Sequence, residues 1–173
     1  RAAYRGHVGP GARYEDRVYA GGLSASYGRY NPHAGRRWSV RAYLGIAPEA
    51  THLPEDRRHL WAYYGCFPNG VIAITPQTAQ FYQEFPVAPG RTAIRGATYR
   101  RPVEDRRLRL TRYLAQRIDQ QTYAEDIQLS IWSNEAMKSS AFDGFHLSDL
   151  EFGVRSHHDQ LRRLLPVMTL DRA

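Results

Sequence analysis

The sequence predicts an α+β fold in which helices pack on one face of an antiparallel sheet. From Tyr14 to about residue 100 the residues alternate as in β-strands and are punctuated by turn signals, whereas residues 103–143 contain neither Pro nor Gly and show helical spacing. Strands that precede helices in this way are typical of α+β domains. The 173 residues suffice for one core, so residues 1–173 are expected to form a single domain.

The strands are predicted from period-two alternation. The clearest is 38–46, where Trp38, Val40, Ala42, Leu44 and Ile46 alternate with more polar neighbours. A second strand at 59–67 is followed by a turn at 68–70 and a return strand at 71–75, which together predict a hairpin. Two further strands are expected near 78–85 and 92–100, joined by a turn at 86–90.

Two helical regions follow. In the first, apolar residues recur at helical spacing in two offset sets, which predicts a break near residues 120–122: Leu110, Leu114, Ile118, then Tyr123, Ile127, Ile131. In the second, Ser148 and Glu151 match a capping box, and Pro166 ends the helix. An apolar stripe on that helix is expected to be buried against the sheet: Leu150, Val154, His157, Leu161, Leu164.

Composition and charge limit the classes of function. The net charge is +7, but Arg pairs are scattered and mixed with acids, which favours a solvated surface over a nucleic-acid groove. No run approaches the ~18 apolar residues of a membrane span. The sequence begins without Met or a signal peptide and is expected to be part of a longer, cytoplasmic chain. The single Cys66 cannot form an internal disulfide.

One carboxylate stands out within the first helical region. Asp126 lies one position before Ile127, at the edge of the apolar stripe, where an acid is costly unless it is hydrogen-bonded or bound to a cation. The pattern by itself favours a surface acid.

Four segments, in this order, resemble the α subunits of Rieske-type non-haem iron ring-hydroxylating oxygenases. The first, around Phe67-Pro68-Asn69, resembles a hairpin motif of that family, and the second, 86–92, resembles its P-x-x-P-G-x-T turn. Ala124-Glu125-Asp126-Ile127 is similar to an x-E-D helix entry, and 147–154 is similar to the start of the last helix. The similarity spans about residues 58–165, in the C-terminal part of the catalytic domain, and is nearest the choline, carnitine and betaine-type branch.

The resemblance implies a helix-grip (Bet v1/START-like) fold, an antiparallel sheet wrapped around a long C-terminal helix. It also implies a mononuclear Fe(II) held by two His and one carboxylate, which maps onto Asp126. The family's H-x4-H pair has no counterpart here, so both His are expected upstream of this sequence. A [2Fe-2S] Rieske cluster needs two Cys and two His, and it is likewise expected upstream.

The function implied is hydroxylation or oxidative demethylation of a small organic substrate with dioxygen. A ferredoxin or reductase would supply the electrons. The enzyme would be a homo-oligomer, namely a trimer, and these 173 residues alone would be inactive. Asn69, Ser130 and Asn134 are candidate pocket residues, the last two because i+4 and i+8 stay near the Asp126 face of the helix. Two rivals remain: a non-catalytic helix-grip module that binds a small apolar ligand, and a nucleic-acid binder.

Overall fold

The computed structural model describes residues 14–29 and 37–165. The described residues form six strands: β1 (Tyr14–Val18), β2 (Leu23–Arg29), β3 (Leu60–Cys66), β4 (Gly70–Ile74), β5 (Ala79–Ala88) and β6 (Arg91–Tyr99). They also form three α-helices: α1 (Trp38–Ile46), α2 (Arg106–Ala136) and α3 (Phe152–Leu164). Short 3-10 turns lie at Ala20–Gly22, Glu55–Arg57 and Asp149–Glu151. Residues 1–13, 30–36 and 166–173, which include Pro166, lie outside the described residues.

The strands form one open sheet in the order β1-β2-β3-β4-β5-β6, and each strand is antiparallel to its neighbours. The predicted α+β class is confirmed, and the sheet with its long helix is consistent with the helix-grip fold. The predicted hairpins are confirmed as well: β3 turns into β4 at Pro68 and Asn69, and β5 turns into β6 at Gly90, whose φ is 71°.

One face of the sheet carries both α2 and α3. Val18 on β1 and Tyr82 on β5 belong to the same row of paired residues, so their side chains point to the same face. Val18 lines a pocket with α3, and Tyr82 lines a cleft with α2. The two helices therefore cover opposite ends of one face, α3 near β1 and α2 near β5 and β6.

The prediction of a strand at 38–46 is wrong, because these residues form α1. The alternation placed Tyr43 on the polar face, whereas Tyr43 is 2% exposed and donates a hydrogen bond to Gln77 Oε1 at 2.7 Å. Ser39, one turn earlier, is also buried, as a helical i, i+4 pair requires. Packing against α2 favours the helix: Arg107 Nε donates to the Ile46 carbonyl at 2.7 Å.

The first helical region forms a single helix, α2, and the predicted break at residues 120–122 is absent from it. Asp105 caps its N-terminus, because the carboxylate accepts a hydrogen bond from the Leu108 N–H at 2.6 Å. Its 31 residues make α2 roughly 46 Å long. Its buried residues, Thr111 and Leu114, lie in the first third, where it packs on α1. The second predicted stripe, including Ile127 and Ile131, is exposed.

The capping box before α3 is confirmed, since the Ser148 N–H donates to Glu151 Oε2 at 2.7 Å. The prediction of a buried apolar stripe on this helix is wrong. Leu161 is half-buried, and the other aliphatic members are exposed: Leu150, Val154, Leu164. The helix instead presents its polar His157 to the Phe67 ring, with centroids 5.3 Å apart. Leu161→Ala is therefore expected to cost less than the about 2–5 kcal/mol of a buried leucine.

Two adjacent glycines before β2 provide a test of the packing around Phe67. Both Gly21 and Gly22 have φ of 79°, a left-handed conformation that costs an L-residue about 1–2 kcal/mol. A Cβ on Gly22 would lie 2.9 Å from Phe67 Cγ, whereas a Cβ on Gly21 would meet nothing within 4 Å. We expect Gly22→Ala to lower the free energy of unfolding by about 1–3 kcal/mol more than Gly21→Ala does. Equal losses in urea unfolding would contradict the close packing of Phe67 on Gly22.

Candidate functional site

A cleft of about 550 Å³ lies between α2 and the β5–β6 hairpin. The α2 wall is formed by four residues at helical spacing, which brings them onto one face: Tyr123, Asp126, Ile127, Ser130. The sheet wall comes mainly from β5 and β6 and combines an aromatic, an apolar and an acidic side chain: Tyr82, Ile94, Glu84. The cleft therefore combines an apolar body with a few polar groups, as small-molecule sites do.

Asp126 and Glu125 point in different directions from α2. Asp126 lines the cleft, and within the described part of the chain its carboxylate has no hydrogen-bond or ion-pair partner. Glu125, about 100° round the helix, pairs with Arg37 at 2.6 Å (Nη2 to Oε1). Both residues are exposed, but only Asp126 of the two presents its carboxylate to the cleft.

The three candidate pocket residues are distributed over different places. Ser130 lines the cleft, and its hydroxyl donates to the Asp126 carbonyl at 2.9 Å. Asn134 lies beside the β5–β6 turn, where a Cβ on Gly90 would be 3.5 Å from its Oδ1. Asn69 lines a different pocket of about 200 Å³ near α3, and its amide donates to the Glu84 carbonyl at 2.9 Å. Asp126 and Ser130 therefore share a site that Asn69 does not line.

Polar residues that the sequence reasoning missed continue the cleft towards the start of α2. Gln80 Nε2 donates to Asp119 Oδ2 at 3.0 Å, and the Tyr123 hydroxyl donates to Gln80 Oε1 at 3.4 Å. Asp119 and Tyr123 precede Asp126 by seven and three positions, so helical spacing from Asp126 could have found them. No comparable signal connects Gln80 with α2, because that contact depends on tertiary packing.

Burial and neighbouring groups raise the pKa values of two tyrosines in the cleft. Burial raises the pKa of Tyr123, and the nearby carboxylates of Asp119 and Asp126 raise it further. Burial likewise raises the pKa of Tyr82, helped by Tyr123, Glu84 and Asp126. Both phenols therefore stay protonated at neutral pH and can donate hydrogen bonds in the cleft.

Burial raises the pKa of Asp119, and the hydrogen bond from Gln80 only partly opposes this. The folded protein therefore holds this proton more tightly than the unfolded chain. The resulting stability is present below the ordinary pKa of 3.8 and is lost as pH rises through the raised value. We expect Asp119→Asn to raise the melting temperature at neutral pH and to leave it unchanged in strong acid. A lower melting temperature at neutral pH would show that the hydrogen bond outweighs burial.

The described residues contain no group of three or more His, Cys, Asp or Glu side chains that could hold a metal ion. No histidine within the described ranges lines the cleft, so an iron site could draw on Asp126 but would need further ligands. Asp126 has the right chemistry for one ligand, since its carboxylate is free of partners among the described residues and accessible.

Comparisons with known proteins address the family. A family model described as the ring-hydroxylating alpha subunit (catalytic domain) matches residues 7–166. Comparison with curated proteins and with solved structures gave no match. None of the helices in the described ranges combines the length and apolarity needed to cross a membrane. Because the family model covers most of the sequence, the chain belongs to the ring-hydroxylating α subunits, in the region of their catalytic domain.

Proposed function

We propose that the natural full-length protein is a Rieske-type oxygenase that hydroxylates or oxidatively demethylates a small organic substrate. The chain belongs to the ring-hydroxylating α subunits, which indicates an oxygenase that uses a substrate, dioxygen and electron-transfer partners. The observation that carries the proposal is the position of Asp126. Its partner-free carboxylate lines a cleft of about 550 Å³ between the long helix and the sheet.

The proposed cofactors would need ligands from outside the described residues. Asp126 would be one ligand of a mononuclear Fe(II), together with two His that the described part of the chain does not place in the cleft. When bound, such an iron with open positions supplies the activation of dioxygen. The [2Fe-2S] cluster would lie in another part of the protein, because the one Cys of this sequence cannot ligate it. A ferredoxin or reductase would deliver the electrons. The protein would be a homo-oligomer, namely a trimer.

The residues of the cleft would bind and orient the substrate. Ile94 and Ile127 offer apolar contacts to its body, and the hydroxyls of Tyr82 and Tyr123 can donate hydrogen bonds. The volume lies within the range of roughly 300–1,000 Å³ that is usual for small-molecule sites. Ser130 lies one helical turn beyond Asp126 and would contact the substrate near the iron. The roles of Asn69 and Asn134 would be more distant, at the ends of the β-hairpins.

Metal analysis distinguishes this proposal from its rival, a non-catalytic helix-grip module that binds a small apolar ligand. The full-length protein is expected to hold a stoichiometric mononuclear iron in addition to cluster iron. A polypeptide limited to residues 1–173 is expected to bind Fe(II) no better than a surface carboxylate, since one carboxylate cannot hold the metal against water. Full-length protein without mononuclear iron, but with a tightly bound apolar molecule, would favour the rival. Sub-micromolar Fe(II) binding by residues 1–173 would contradict the ligand assignment.

A further inference from the structure

The carboxylate of Glu84, on β5, has no partner in the cleft. Glu84 lines both the cleft between α2 and the β5–β6 hairpin and the pocket of about 200 Å³ near α3. Its side chain makes no hydrogen bond or ion pair with the described residues, and no Lys or Arg of those ranges lines either space. Of the described lining residues only His157, in the smaller pocket, can carry a positive charge. The cleft itself therefore contains an acid that no described cation neutralises.

The backbone of Glu84 is held in place by the neighbouring β3–β4 hairpin. Its N–H donates to the Asn69 carbonyl at 3.0 Å, and its carbonyl accepts a hydrogen bond from the Asn69 side-chain amide at 2.9 Å. Glu84 follows Tyr82 by two positions in β5, so both side chains point to the face of the sheet that carries the helices. Burial is the main cause of the raised pKa of Tyr82, and the charge of Glu84 adds to it. The Glu84 carboxylate is therefore directed into the cleft, near the Tyr82 hydroxyl.

The polar side chains of the cleft leave hydrogen-bond acceptors free. The Ser130 hydroxyl donates to the Asp126 carbonyl at 2.9 Å, and the Gln80 amide donates to Asp119 at 3.0 Å. The ionised carboxylates of Glu84 and Asp126 can only accept hydrogen bonds, and neither has a donor among the described residues. A ligand that complements these carboxylates must supply N–H or O–H donors, and a positive charge would strengthen the interaction.

We propose that the substrate carries a protonated primary or secondary amine, which donates hydrogen bonds to the Glu84 carboxylate. Its apolar body would contact Ile94 and Ile127, which line the same cleft. In the proposed oxygenase the Asp126 carboxylate would bind iron, so Glu84 would be the acid that remains to bind the amine. Glu84 would therefore determine specificity, and Asn69 would position it.

The same carboxylate selects against two other classes of substrate. A carboxylate substrate would be repelled by Glu84. A quaternary ammonium ion has no N–H group, so it cannot donate a hydrogen bond to Glu84. This inference rests on the proposed function in one respect, namely that the molecule in the cleft is the substrate.

Binding of four hexyl probes to the full-length protein, with its metal removed by a chelator, tests the proposal. Without metal, an amine cannot bind by coordinating iron. At neutral pH hexylammonium is expected to bind about tenfold more tightly than hexan-1-ol, as a charge-assisted hydrogen bond predicts. Hexanoate and hexyltrimethylammonium are both expected to bind more weakly than hexylammonium.

Two variants assign this preference to Glu84. Glu84→Gln should lower hexylammonium affinity about tenfold and leave hexan-1-ol affinity unchanged, which also shows that the variant is folded. Glu125→Gln is the matched control, because Glu125 pairs with Arg37 and lines neither cavity, and it should change neither affinity. Asp126 is present in all the proteins compared, so its charge cannot explain a difference between them.

Three outcomes would overturn the proposal: equal affinities for hexylammonium and hexan-1-ol, tightest binding of hexanoate or hexyltrimethylammonium, or equal losses in Glu84→Gln and Glu125→Gln. Metal analysis of the protein before chelation keeps this test separate from that of the oxygenase. Mononuclear iron without a preference for the amine would remove the present inference alone. A preference for the amine that depends on Glu84, in a protein without mononuclear iron, would leave an amine-binding cleft and remove the oxygenase.

Discussion

Replacing Asp126 by alanine in the full-length protein is expected to deplete the mononuclear iron and to abolish turnover. The carboxylate lines the cleft without a partner among the described residues, so its removal would take away the proposed metal ligand without disturbing a contact of that side chain. Loss of an outer-shell partner of a metal typically costs about 10–100-fold in metal affinity or activity, and loss of a direct ligand should exceed that. Iron analysis and substrate-dependent oxygen consumption measure both effects.

The adjacent carboxylate supplies the matched control. Glu125→Ala removes an acid from the same helical turn, but Glu125 pairs with Arg37 and does not line the cleft. This variant should keep its iron and its activity, because an exposed ion pair contributes only about 0–1 kcal/mol to stability. Asp126→Glu should be nearly as damaging as Asp126→Ala, since one methylene displaces the ligand. In each variant the visible spectrum of the proposed Rieske cluster should be unchanged.

If Glu125→Ala lost iron while Asp126→Ala retained it, the alignment of the x-E-D motif with α2 would be out of register by one residue. Such a shift rotates the ligand about 100° round the helix, away from the cleft. The assignment of Asp126 would then be wrong.

The second large effect is expected from Leu114→Ala, at the interface of α1 and α2. Leu114 is 4% exposed and lies beside Thr111, which is fully buried. Truncation of a buried leucine costs about 2–5 kcal/mol, from lost burial and from the cavity that remains. Urea unfolding should therefore show a lower free energy of unfolding, and α1 should detach from α2 before the sheet unfolds.

Leu110→Ala is the matched control, because it removes the same atoms one helical turn earlier. Leu110 is 48% exposed, so its truncation is expected to cost less than about 1 kcal/mol. The sequence places both leucines in one apolar set at helical spacing, whereas the structure buries only Leu114 of the two. Equal losses for the two variants would show that the interface of α1 and α2 is misplaced.

The β3–β6 hairpins could be predicted from the sequence because their information is local. Turn residues at Pro68 and Gly90 separate runs of β-type residues, and each strand pairs with the next along the chain. The region 38–46 could not be assigned in this way, since its nine residues fit both a strand and a helix until Tyr43 is assigned to one face. Packing on α2, more than 60 residues later, decides that assignment.

For α2 and α3, the sequence predicted that helices form but did not predict which of their faces are buried. On α3 the aliphatic stripe is exposed while His157 contacts Phe67, and on α2 Ile127 lines an open cleft. Apolar spacing predicts burial only where another element covers the face, and spacing along one helix contains no information about that element. The same limit applies to the site. Asp126 was found by resemblance, whereas Gln80 contacts Asp119 and Tyr123 from the sheet, through packing that the sequence does not reveal.

The most direct test of the iron assignment is a crystal structure of the full-length protein loaded with Fe(II), with diffraction data collected at the iron absorption edge. The assignment predicts an anomalous peak in the cleft between α2 and the β5–β6 hairpin, in bonding contact with the Asp126 carboxylate. Two histidines from outside the described residues should complete the ligand set. A mononuclear iron peak bound elsewhere, with Asp126 free of metal, would contradict the assignment.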